Sequence, residues 1–139
     1  MPLPSPLAEL VAEFEGLPWE LKLEYLADYA AQLPDDEQED PSAPFLAVPE
    51  CQTPLAYRVN VAADNTVQLA FRVAPHAVTA HGFLGLLYCG LNGVTRDELA
   101  DVDDDLADRL GLSTALSAQR LDGLRAVVRR VKHTALHAP

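Results

Sequence analysis

The chain has 139 residues, 49% hydrophobic and 22% charged, which suits one ordinary domain and is too apolar for a disordered polymer. Ten Lys and Arg against 21 Asp and Glu give a formal net charge of -11. A surface this acidic repels nucleic-acid phosphates and anionic membrane surfaces alike, so neither is an expected partner.

No stretch approaches the roughly 20 apolar residues that span a bilayer. The start, Met1-Pro2-Leu3-Pro4, lacks the basic and apolar blocks of a secretory signal. Cys51 and Cys89 make neither a disulfide framework nor a CxxC pair. The expectation is a cytoplasmic protein with reduced thiols, folding as one domain over residues 1–139.

A first helix is predicted from Ser5 as N-cap, with Pro6 as its first helical residue. Leu7, Leu10, Val11 and Phe14 form its apolar stripe, and Gly16 ends it. A second helix is read over residues 18–33, with Trp19, Leu23, Leu26 and Ala30 near one face and Pro34 as its stop. Residues 34–50 carry the run Asp35-Asp36-Glu37-Gln38-Glu39-Asp40 and then Pro41, Pro44 and Pro49, and read as an exposed loop. Residues 57–61 and 67–73 alternate apolar and polar around an Asp64-Asn65 turn, which is the pattern of a hairpin. Two strands alone are marginal, so a third near residues 45–48, or covering helices, must complete the sheet. Residues 77–91 read as a buried central helix ended by Asn92-Gly93. Thr95 and Glu98 make a capping box. A short acidic helix or turn follows. Ser117 then caps a last helix whose apolar face is Leu121, Leu124, Val127, Val128 and Val131. Five of the ten basic residues lie on that helix: Arg120, Arg125, Arg129, Arg130 and Lys132. The fold class is α+β, a small antiparallel sheet of two or three strands packed against several helices.

Few residues suggest chemistry. No GxGxxG, P-loop, HExxH or GxSxG stretch occurs. The carboxylates fall in runs that read as solvated faces. His133 and His137 have metal-ligand spacing but no third ligand, whereas a structural metal takes about four, and no metal or cofactor is expected. His76 and His81 face different ways on a helix and read as surface or capping residues. Cys89, inside the apolar helix, reads as a small buried hydrophobe. Cys51 lies between Pro49 and Pro54, where a loop can present a reactive group. No basic residue adjoins it, and Glu50 disfavours its thiolate. From these residues alone Cys51 is either a reactive thiol or an incidental one.

Longer patterns add to this. Val48-Pro49-Glu50-Cys51-Gln52-Thr53 resembles a Val-x-Gly-Cys-Gln-Ser signature. Trp19-Glu20 with Tyr25-Leu26 and Leu33-Pro34 resembles a Trp-Glu…Tyr-Leu…Leu-Pro helix. His81-Gly82-Phe83-Leu84, Asn92-Gly93-x-Thr95, and Leu112-Ser113 with Leu116-Ser117-x-x-Arg120-x-x-Gly123-Leu124 follow in the matching order. Together, from about residue 7 to residue 131, they resemble the SufE family of sulfur-acceptor proteins of iron–sulfur cluster assembly. Glu50 stands where that family has glycine, and Pro75-His76-Ala77 where it has a Ser-Asp-Ala-like segment.

The resemblance implies a SufE/IscU-like fold and a persulfide relay. Cys51 would accept sulfur from a SufS-like, pyridoxal-phosphate cysteine desulfurase, stimulate that enzyme, and pass the sulfur to a cluster scaffold. Its loop would rest in an apolar hollow and extend on docking. Glu50, Gln52 and Thr53 would support the loop, and Arg120 would dock the partner or brace the loop. Two alternatives stay open: an acidic adaptor or activator in which Cys51 is incidental, and a thiol enzyme with its own base.

Overall fold

Period-two alternation builds a hairpin whose one apolar face gathers the helices. The computed structural model describes residues 4–34, 44–51, 54–74 and 76–138. Strands β1 (Leu46–Ala47), β2 (Leu55–Val61) and β3 (Val67–Val73) form an antiparallel sheet in the order β1-β2-β3. Tyr57 pairs with Phe71 and Val59 with Leu69, and all four are buried. Cross-strand pairs of this kind fix the register, because a slip of one residue would turn every apolar side chain outward. On the opposite face the guanidinium groups of Arg58 and Arg72 lie over the Phe45 ring, 4.6 and 3.8 Å from its centroid. Asn65 takes the positive φ of the hairpin turn, 71°, as short polar residues tolerate.

Helices α1 (Ser5–Glu15), α2 (Trp19–Asp28), α3 (Val78–Leu91), α4 (Arg96–Ala100), α5 (Leu106–Arg109) and α6 (Ala118–Leu136) complete the fold, with α3 packed on β3, α6 on β2, α1 and α2 on α3, and α4 and α5 on α6. The architecture is the expected α+β one, with the third strand present. The Thr95–Glu98 capping box forms, as does the Ser117 cap on the Arg120 amide. All five residues of the predicted α6 stripe are buried. None of the helices among the described residues is long and apolar enough to cross a membrane.

Four local expectations change. The cap of α1 is Pro4, with Ser5 already helical, because the extended backbone of a proline serves as well before a second proline at the start of the helix. The second helix ends at Asp28 and tightens into a 3₁₀ turn over Tyr29–Gln32. Trp19 is 60% exposed: the first turn of α2 projects past its neighbours, and the element buries Lys22 and Leu26 instead. Lys22 Nζ donates to the Leu110 carbonyl at 3.0 Å, so its charged end is satisfied where its alkyl stem is covered. Cys89 is partly rather than fully buried. The acidic run over residues 35–40 lies outside the described residues.

The α3 helix packs directly on the backbone of α2 and the 3₁₀ turn. Gly82 faces the Leu26 carbonyl and Gly85 the Tyr29 carbonyl, with no room for a methyl group between them. Gly85→Ala gains up to about 1 kcal/mol of helix propensity but must push two backbones apart. Overpacking costs roughly 1–3 kcal/mol, so we expect a net loss of stability in urea unfolding. A variant at least as stable as the parent would refute this packing.

Candidate functional site

The turn between β1 and β2 is fixed at both ends. Val48 N–H donates to the Leu55 carbonyl at 3.3 Å, and Cys51 N–H donates to the Val48 carbonyl at 3.1 Å. Val48 and Leu55 are buried and anchor the turn, which carries Pro49, Glu50 and Cys51 across α6. At the crossing stands Gly123. Cys51 Sγ donates to the Gly123 carbonyl at 3.4 Å. A Cβ at Gly123 would come to 3.1 Å from that sulfur and 3.5 Å from Cys51 Cα, so glycine is what lets the turn lie on the helix backbone.

Cys51 is half-buried and lines a cavity of about 360 Å³. One wall is the start of α6, with Gln119, Arg120 and Leu124; the other is His76 and the start of α3. Volume in this range suits a small group or a short side-chain tip. Burial pushes the Cys51 thiol above the ordinary cysteine value, and the Glu50 carboxylate pushes it further the same way. At rest the sulfur is therefore a neutral thiol, a poor nucleophile and a poor target for oxidants.

Glu50 turns away from the cavity to two arginines of α6. Its carboxylate accepts from Arg130 Nε at 2.8 Å, from the second Arg130 nitrogen at 2.9 Å, and from Arg129 at 3.2 Å. The Arg130 hydrogen bonds, a backbone hydrogen bond and Arg129 together hold the carboxyl at about 2, well below the ordinary value. Arg120 is exposed and makes no side-chain hydrogen bond or ion pair among the described residues. The structure thus brings Cys51 and Arg120 to one cavity and Glu50 to its flank. Gln52 and Thr53 lie outside the described residues.

Other participants are not legible in the sequence. Gly123 appears there only as a matched position, although a glycine inside an amphipathic helix is itself a sign of close backbone approach. His76, a surface or capping residue on sequence grounds, stands at the cavity wall. Nothing in the order of residues pairs Arg129 and Arg130 of α6 with Glu50. Cys89 lies outside the cavity lining. The rings of His133 and His137 stack with centroids 4.1 Å apart. No group of three or more His, Cys, Asp or Glu side chains among the described residues could hold a metal.

The Glu50 geometry has a pH signature. A carboxylate at about 2 when folded and 4.5 otherwise stabilises the fold above the higher value, and that contribution is lost as pH falls through the window between them. Acid unfolding of Glu50→Gln should therefore depend less steeply on pH across that window than the parent. Identical slopes would rule out the pairing.

Comparison with known proteins agrees on one family. The profile described as "SufE: Fe-S metabolism associated domain" matches residues 8–135. Two proteins of Mycobacterium tuberculosis, from strains CDC 1551 / Oshkosh and ATCC 25618 / H37Rv, are both named uncharacterized SufE-like proteins. Each is 35% identical over 130 residues, covering 94% of this chain and 91% of its own. The solution structure of a hypothetical protein from Thermus thermophilus matches with a TM-score of 0.84 at 31% identity, covering 99% of this chain and 98% of that one.

Proposed function

Because the chain belongs to the SufE family of Fe–S metabolism, we propose that it is a cytoplasmic sulfur acceptor in which Cys51 takes persulfide sulfur from a cysteine desulfurase and relays it to a cluster scaffold. The observation that carries this reading is the position of Cys51: a half-buried thiol on an inter-strand turn, at the wall of a cavity, hydrogen-bonded to a helix carbonyl. An acceptor needs a sulfur that is inert until a partner engages it.

In the transfer, the Cys51 thiolate attacks the terminal sulfur of the desulfurase persulfide. A bond forms between Cys51 Sγ and that sulfur, the S–S bond on the desulfurase breaks, and the desulfurase cysteine leaves as thiolate. The electrons balance within the exchange, so no outside oxidant or reductant enters. The proton lost from Cys51 goes to a base that the desulfurase provides, since burial and Glu50 both oppose the thiolate in the free protein. Arg120, exposed at the cavity and unpaired among the described residues, is suited to meet a carboxylate of the docked partner.

Incubation with a SufS-like cysteine desulfurase and free cysteine, without reductant, should add one sulfur atom at Cys51 by peptide mass spectrometry. Cys51→Ser should accept none, and Cys89→Ser should accept as the parent does. Sulfur on Cys89, or none with any desulfurase tried, would overturn the proposal. So would a Cys51→Ser variant that still stimulates its partner fully, which is the behaviour of an adaptor.

A further inference from the structure

The residue before the thiol is held by two arginines seventy-nine and eighty positions away in the chain. Arg129 and Arg130 lie six and seven residues beyond Gly123, about two helical turns along α6. The turn is therefore fastened to α6 at two points: Cys51 against the Gly123 backbone, and Glu50 against the paired guanidinium groups. The two fastenings differ in kind. The first is a close packing contact that glycine permits. The second is an ion pair whose side chains stay partly open to solvent, with exposures of 33% for Glu50, 52% for Arg129 and 36% for Arg130, so salt or a competing carboxylate can reach it.

We propose that Glu50 is a positioning residue for Cys51: its clasp on Arg129 and Arg130 holds the turn down on α6, and opening that clasp is what releases the thiol. A carboxylate at this position lowers the reactivity of the neighbouring thiol through its charge, and again by closing the turn over it. The arginines would otherwise favour a thiolate, and here they are engaged by Glu50. A partner offering its own carboxylates to Arg129 and Arg130 would free Glu50 and the turn together. The biological meaning rests on Cys51 being the sulfur acceptor. The clasp itself can be tested without any desulfurase, so the two ideas fail separately.

The test is the rate at which a neutral alkylating reagent, iodoacetamide, modifies Cys51 in the full chain, read at that residue by peptide mass spectrometry. The variants are Glu50→Gln, Arg130→Gln and the double Arg129→Gln, Arg130→Gln. If the charges act on the thiol only through space, removing Glu50 speeds alkylation and removing the arginines slows it, because a cation favours the thiolate. A clasp predicts the same sign for all three, several-fold faster than the parent, with thermal melts confirming that each remains folded at the assay temperature. Added sodium chloride should speed the parent and leave Glu50→Gln unchanged. Arginine variants that alkylate at or below the parent rate would overturn the proposal, as would a parent indifferent to salt.

Discussion

The contact between Cys51 and the backbone of Gly123 is the constraint from which the rest of the site follows. At Gly123 a methyl group would stand 3.1 Å from the sulfur, so any side chain larger than hydrogen would press the thiol away from the helix carbonyl it meets at 3.4 Å. That approach fixes which way the β1–β2 turn lies and places the sulfur at the cavity wall. It also withdraws the sulfur from water, so the thiol stays protonated. Inertness and position thus share one cause. A carrier of a labile sulfur benefits from both, because a persulfide left in solvent is lost to other thiols.

Charge is arranged around that contact with economy. The chain carries a net charge of -11, yet half its cations lie on α6, and most of them are neutralised locally. Arg125 forms a bidentate pair with Asp108 at 2.9 and 3.0 Å, Lys132 meets Asp104 at 3.0 Å, and Arg129 and Arg130 share Glu50. Arg120 stands apart at the cavity. An acidic body with an accessible cation beside its candidate sulfur presents a defined point of attraction to a partner's carboxylate.

Features written in short periods are legible from the residues. The hairpin, the α6 stripe and the Thr95–Glu98 box each depend on side chains a few positions apart, and each stands where expected. The division of the second helix is not legible: it falls at Tyr29, whose backbone packs on Gly85 of α3, a contact that no local pattern announces. Trp19 misleads for a related reason: helical periodicity gives a face but not how far the neighbours extend along it. At the site, the turn bearing Cys51 can be read from its two prolines. Its partners cannot, since Gly123 is seventy-two residues away in the chain and Arg130 eighty from Glu50. In the sequence Glu50 is only a charge in place of a glycine; the clasp that gives it a role exists only in the folded chain.

The most direct measurement is the Cys51 alkylation rate in Gly123→Ala. Alanine favours the helix by up to about 1 kcal/mol, while its methyl group would press on the sulfur at 3.1 Å. Gly123→Ala should remain folded at the assay temperature yet expose Cys51 to the reagent faster than the parent. A folded variant whose Cys51 reacts at the parent rate would contradict it.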